Sequence, residues 1–172
     1  MSLKKFKLAA LVSGRGSNLQ AIIDSIERNE LRIDLSIVIS NVENALALER
    51  AKNHGIKSIF IDPAIYPNKK EFDQIMAGKL KEMSIDLICL AGYMRILGKE
   101  FIQTFSSRII NIHPSLLPAF PGLNAQKQAI EYGVKFSGCT VHFVDEGVDC
   151  GPIILQTAVP VYDYDEEETL SK

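Results

Sequence analysis

Cysteine is scarce in this chain of 172 residues: Cys89, Cys139 and Cys150 are an odd number, and no two form a CxxC pair. Cys89 and Cys139 lie in apolar stretches and read as small core residues, a usage that suits a reducing compartment. Long hydrophobic runs are also missing. The basic start Met1–Lys7 is followed only by Leu8–Ser13, too short for a signal sequence, and nothing reaches the length of a membrane span. No basic block appears and the formal net charge is −2, which excludes a broad nucleic-acid footprint but not one local site for a small anion. Neither a GxSxG elbow, nor HExxH, nor a Cys/His cluster at zinc spacing occurs. Repeats, low-complexity segments and linkers are absent as well. What is left is a cytoplasmic, single-domain globular protein over residues 1–172, for which 47% apolar and 23% charged residues are ordinary.

Apolar runs recur with helical stretches between them. Leu8–Val12, Leu35–Ile39, Ser58–Ile61, Ile85–Leu90 and Arg108–Ile112 read as strands. Leu19 to Arg28, Ala45 to Asn53, Lys69 to Met83 and Lys99 to Phe105 read as helices. This alternation predicts an α/β, Rossmann-like fold with a mostly parallel sheet flanked by helices on both faces. Two later strands, Ser137–Val144 and Ile153–Val161, are joined by too short a segment for a crossover helix, so at least one runs antiparallel. The acidic stretch Asp163–Glu168 reads as a solvated loop leading into a helix.

Three segments carry chemistry. Gly14-Arg-Gly16-Ser17-Asn18 stands between a strand and a helix, where free N–H groups and the helix dipole favour a phosphate. It lacks the Lys of a P-loop and the third glycine of a dinucleotide fingerprint; the plain alternative is a tight turn capped by Ser17 or Asn18. In Asn111-Ile-His113-Pro114, an extended strand puts an amide and an imidazole on one face at a strand end, a pair suited to a developing oxyanion. The alternative is a buried structural histidine. In the Asp145–Gly151 loop a carboxylate reaching back to His113 would favour the imidazolium, although three acids compete for that place. Leu90–Leu97 offers exposed backbone, the cation Arg95 and apolar neighbours to a flat heteroaromatic ligand with an acidic tail, or is simply a loop with Arg95 paired to an acid. His142, mid-strand, reads as a supporting residue, and His54 as a surface one.

Taken together, Ser13–Gln20, Ser40-Asn41, Leu48–Ala51, Leu90–Leu97, Asn111–Pro118, Val141–Val144 and Asp149–Pro152 resemble the phosphoribosylglycinamide formyltransferases nearly end to end. The resemblance implies the formyltransferase fold and transfer of the formyl group of 10-formyltetrahydrofolate, the co-substrate, to the amine of a glycinamide ribonucleotide in purine synthesis. It makes Asn111, His113 and Asp149 the catalytic trio and assigns the ribonucleotide to Gly16, Ser17 and Asn18. Folate falls to Lys69, Met94, Arg95, Ile96, Leu97 and Asn111, with Asp145, Glu146, Gly147, Val148 and Asp149 closing over the pterin. Its partners are small molecules, with no nucleic acid, membrane or metal, and monomer and homodimer stay open. Asn124 and Cys150 depart from residues common in relatives, and the family continues past Lys172 with a helix, so the chain is expected to lack that element. The rivals are a formyl-folate hydrolase and a non-catalytic nucleotide-binding module.

Overall fold

Strands covered on both faces are continuous apolar runs, and here such runs form the centre of the fold. In a computed structural model that describes residues 5–171, the last five residues of β1 (Phe6–Val12) and the last four of β2 (Ile33–Ser40) are buried. Met1–Lys4 and Lys172, where the basic start and the last residue of the sequence fall, lie outside the described residues. The chain divides into two compact units, Met1–Ile109 and Ile110–Lys172.

In the first unit β1 pairs in parallel with β2 on one side and with β4 (Leu87–Leu90) on the other. β3 (Ser58–Phe60) adds in parallel to β2. The crossovers are α1 (Ser17–Glu27), α2 (Leu46–Asn53) and α3 (Lys69–Glu82), while α4 (Lys99–Thr104) follows β4. Because β1 has a neighbour on each side, the winding reverses at its carboxyl end, the place where open α/β sheets bind ligands. The helices bury single stripes: Leu19 and Ile23 in α1, and Phe72, Met76 and Leu80 in α3. Asn68 caps α3 by accepting from the Glu71 N–H at 3.0 Å. A 3-10 turn at Pro63–Ile65, which the sequence pattern did not signal, precedes it.

The second unit is built on antiparallel pairs. β5 (Ile109–His113) pairs with β6 (Phe136–Phe143), and β6 pairs with β7 (Ile153–Pro160), both antiparallel. The expected late antiparallel strand is therefore β6, opposed to both its neighbours. Together the parallel strands, alternating helices and late antiparallel set give the α/β class read from the sequence. One helix was not foreseen: α5 (Ala125–Tyr132) buries only Ala125 and Ala129, so its apolar stripe is nearly silent. The acidic stretch closes in α6 (Glu167–Leu170), whose first turn carries a reciprocal Glu166–Thr169 cap. β7 pairs with β6 alone among the described residues, and all its residues are exposed, Ile153, Ile154 and Leu155 included.

Two glycines carry opposite demands. A Cβ on Gly138 of β6 would overlap the Thr157 carbonyl oxygen of β7 and lie 2.9 Å from Leu116 Cδ2, whereas one on Gly78, inside α3, would meet nothing within 4 Å. Gly138→Ala is expected to lower stability by roughly 1–3 kcal/mol through overpacking. Gly78→Ala is expected to raise it by about 0.5–1 kcal/mol through helix propensity. Urea midpoints of the two variants should move in opposite directions.

Candidate active site

An extended strand sends residues i and i+2 to one face, and the antiparallel partner adds its own side chains opposite. β5 therefore presents Asn111 and His113 together, with His142 opposite Asn111 and Thr140 opposite His113. Into this row comes Asp149, held at φ 52 in the loop between β6 and β7. Gly151 must lack a side chain there, because a Cβ would overlap the Phe143 carbonyl oxygen.

Asp149 is the carboxylate that turns inward; its side chain is 14% exposed. Its Oδ2 accepts from the Gly122 N–H at 2.8 Å and lies 3.3 Å from His113 Nδ1. Its Oδ1 accepts from Asn111 Nδ2 at 3.3 Å and lies 3.6 Å from His142 Nε2. His113, 4% exposed, has its Nε2 2.8 Å from the Phe120 carbonyl oxygen. Each ring nitrogen of His113 thus faces an oxygen, Nδ1 that of the Asp149 carboxyl and Nε2 that of the Phe120 carbonyl. His142 is the opposite case. Its Nδ1 donates to its own strand's Phe143 carbonyl at 3.0 Å, leaving Nε2 to accept from Asn111 Nδ2 at 3.2 Å.

The expected trio is therefore brought together, and His113 meets a carboxyl as well as a backbone carbonyl. His142, read as a supporting residue, is buried at 2% and is the second acceptor for the Asn111 amide. Two contacts carried no signal in the sequence, because Phe120 offers its carbonyl and Gly122 its N–H, and backbone groups exist at every residue. The remaining acids of the loop behave differently. Asp145 accepts from Gly147 N–H at 3.0 Å, and its hydrogen bond with the Cys150 thiol, before burial, pushes that thiol up. Glu146, Gly147 and Val148 are exposed.

The first unit holds the other expected residues. The turn after β1 is fixed by Ser13, whose hydroxyl donates to Asn41 Oδ1 at 2.6 Å and accepts from Met94 N at 2.8 Å. Gly16, at φ 75, caps α1 with no side-chain bond, so neither Ser17 nor Asn18 is the cap. A Cβ on Gly16 would lie 2.7 Å from Ala47 Cβ, which makes glycine obligatory. Arg50 braces the turn by donating from Nε to the Arg15 carbonyl at 2.9 Å and from Nη1 to Gln20 Oε1 at 3.0 Å. With no acid in the first turn of α1, its leading N–H groups stay open to an anion.

Along the segment after β4, Met94 and Ile96 are exposed at 66% and 69%, whereas Leu97 is buried and its side chain belongs to the core. Arg95 lies over the Phe72 ring, 5.0 Å from its centroid, and its charge acts on the Asp73 carboxyl. Lys69 opens α3 beside buried Asp73, whose Oδ2 accepts from Gly98 N–H at 2.7 Å. Burial pushes the Asp73 carboxyl up, opposed by that hydrogen bond and by Lys69 and Arg95. The Tyr93 hydroxyl is buried with no hydrogen-bond partner among the described residues, and burial pushes it up as well.

A model of the formyl transferase family matches residues 6–172. The chain belongs to the formyl transferase family. As a member, it is 50% identical over 169 residues to the trifunctional purine biosynthetic protein adenosine-3 of Homo sapiens, covering 98% of this chain and 17% of that one. It thus spans only a small part of the trifunctional relatives it matches. It is 42% identical over 170 residues to the phosphoribosylglycinamide formyltransferase of Bacillus subtilis, covering 99% of this chain and 86% of that one. The crystal structure of glycinamide ribonucleotide transformylase 1 from Symbiobacterium toebii superposes with a TM-score of 0.95 at 48% identity, covering 99% of this chain and 82% of that one. The formyltransferase fold is thus shared, and no helix among the described residues is long and apolar enough to cross a membrane.

Asp149→Asn keeps the shape but turns one oxygen into a donor aimed at Gly122 N–H or at Asn111 Nδ2. A loss of about 1–3 kcal/mol is expected on chemical unfolding, together with a weakened His113 contact. For Asp73 the carboxyl is raised in the folded chain from 3.8, so its stabilisation is present at low pH and is lost as pH rises through the raised value. Relative to wild type, Asp73→Asn should therefore gain stability between pH 4 and pH 7 in paired urea titrations.

Proposed function

We propose that this chain transfers the formyl group of 10-formyltetrahydrofolate to the amine of 5'-phosphoribosylglycinamide, a cytoplasmic step of purine synthesis. The observation that carries the reading is the junction of Asn111, His113 and Asp149 at the end of β5, in a chain similar over 99% of its length to a protein of that name. When the neutral amine attacks the formyl carbon, negative charge develops on the formyl oxygen. The Asn111 amide and a His113 ring N–H are the donors for it, and Asp149 holds the ring's other side. No residue need form a covalent intermediate.

The geometry adds a condition. Both His113 nitrogens and the Asn111 amide nitrogen are already engaged by protein acceptors. A formyl oxygen must therefore replace one of them, and at His113 that acceptor is the Phe120 carbonyl, since Asp149 keeps Nδ1. The Nε2–H becomes available to the formyl oxygen when the Phe120 carbonyl, now 2.8 Å away, turns aside. His113 also passes a proton towards the departing folate nitrogen, directly or through water.

The same reading assigns the remaining contacts. Gly16, Ser17 and Asn18 take the ribonucleotide, its phosphate at the open N-terminus of α1. Met94 and Ile96 give the folate exposed apolar surface, Leu97 gives backbone, and Arg95 with Lys69 gives positive charge to the folate's carboxylates. The loop from Asp145 to Asp149, with Glu146, Gly147 and Val148 at its exposed crest, covers the pterin.

Mixing protein and formyl donor with and without the ribonucleotide, and following deformylation by absorbance, tests the reading. Turnover should need the amine; turnover without it would mean a hydrolase, and binding without turnover a non-catalytic module. His113→Ala should lower turnover ~100-fold or more while formyl-folate binding stays close to wild type. Loss of both together would make the histidine structural.

A further inference from the structure

β7 runs Ile153-Ile-Leu-Gln156-Thr-Ala-Val, so Gln156 is a polar residue in an apolar, exposed strand. An exposed amide has water for company, yet this one turns inward. Its Nε2 donates to the Leu117 carbonyl at 2.9 Å and to Thr140 Oγ1 at 3.0 Å. Thr140, fully buried, gives its own hydroxyl hydrogen to the Ser115 carbonyl at 2.6 Å and accepts from Leu117 N–H at 3.0 Å. The hydroxyl's donor and both acceptor positions are filled. Three backbone groups, Ser115 C=O, Leu117 N–H and Leu117 C=O, thus end on two side chains.

These side chains lie in one cross-strand row with the imidazole: His113 is opposite Thr140, and Thr140 is opposite Gln156. From the clamped residues the chain turns at once. Ala119 N–H bonds the Leu116 carbonyl at 3.0 Å, the Ser115 hydroxyl donates to the Ala119 carbonyl, and the next carbonyl, Phe120, meets His113 Nε2. We propose that Gln156 and Thr140 are positioning residues for His113, fixing the base of the Ser115–Phe120 segment so that the Phe120 carbonyl holds the imidazole in place. This deepens the formyl-transfer reading and rests on it for the role of His113. Glutamine is required by the chemistry of the spot. Both of its targets accept, Thr140 Oγ1 having already spent its hydrogen on Ser115, so an ionised glutamate there would face two acceptors with nothing to donate.

The test uses the whole chain and two readouts. The first is the low-field proton resonance of the His113 Nε2–H, which the Phe120 carbonyl shelters, assigned by its loss in His113→Gln. The second is kcat and KM with formyl-folate and glycinamide ribonucleotide. Wild type and Thr140→Ser, which keeps the hydroxyl, should show the resonance. Thr140→Val and Gln156→Leu should shift or lose it, with kcat down on the order of tenfold and KM within about twofold. Gln156→Glu should be at least as damaging as Gln156→Leu. If Thr140→Val does not fold, Gln156→Leu, at an exposed strand position, carries the test. A resonance and kcat unchanged in Gln156→Leu overturn the proposal, as does a loss confined to KM. Wild type without formyl transfer, but with a resonance that responds to the variants, would overturn the functional reading and leave the positioning intact.

Discussion

A single carboxylate organises the second unit. Asp149 reaches the Gly122 N–H, the Asn111 amide and the His113 ring at 2.8–3.3 Å while showing 14% of its side chain to water. A charge so far desolvated is costly unless its oxygens are satisfied, and each of the two finds a donor. Those partners come from β5 and the segment after it, while the carboxylate comes from the loop beyond β6. Closing that loop and orienting the amide and the imidazole are therefore one event. Strand periodicity puts the two β5 side chains on one face, and Asp149 is the group that joins them.

The network also has a direction. His142 accepts from Asn111 because its Nδ1 is committed to the Phe143 carbonyl, and the Asn111 amide is left with its nitrogen towards His142 and Asp149. His113 is fixed from two sides by acceptors. An amide and an imidazole that would otherwise flip or rotate thus each hold one orientation, set by neighbours that cannot themselves exchange roles. Preorganised donors of this kind need no rearrangement of distant parts when charge appears nearby.

Much of this was legible in the residues. Apolar runs gave the strands to within a residue or two, and strand periodicity put Asn111 and His113 on one face. Choosing among Asp145, Glu146 and Asp149 required the loop's path, which Asp149 makes at φ 52 and Gly151 makes by lacking a Cβ. Neither constraint has a one-residue signature. α5 escaped because alanines form its buried stripe and Asn124 caps it at φ 57 without a side-chain bond. Phe120 and Gly122 act through backbone atoms, and Leu97, expected on the folate, spends its side chain in the core. Gln156 carries no signal in the sequence, since the inward turn of its amide follows from partners on β6 and the segment after β5.

β7 has a consequence beyond the chemistry. Among the described residues no strand lies on its outer side, and Ile153, Ile154, Leu155 and Val159 are exposed along it. Unpaired backbone and oily side chains on one edge are the template that another chain's extended segment completes. The strand that carries Gln156 inward thus also presents, on its outer side, a surface on which chains can associate. Lysine or proline placed along that edge would act on solubility first.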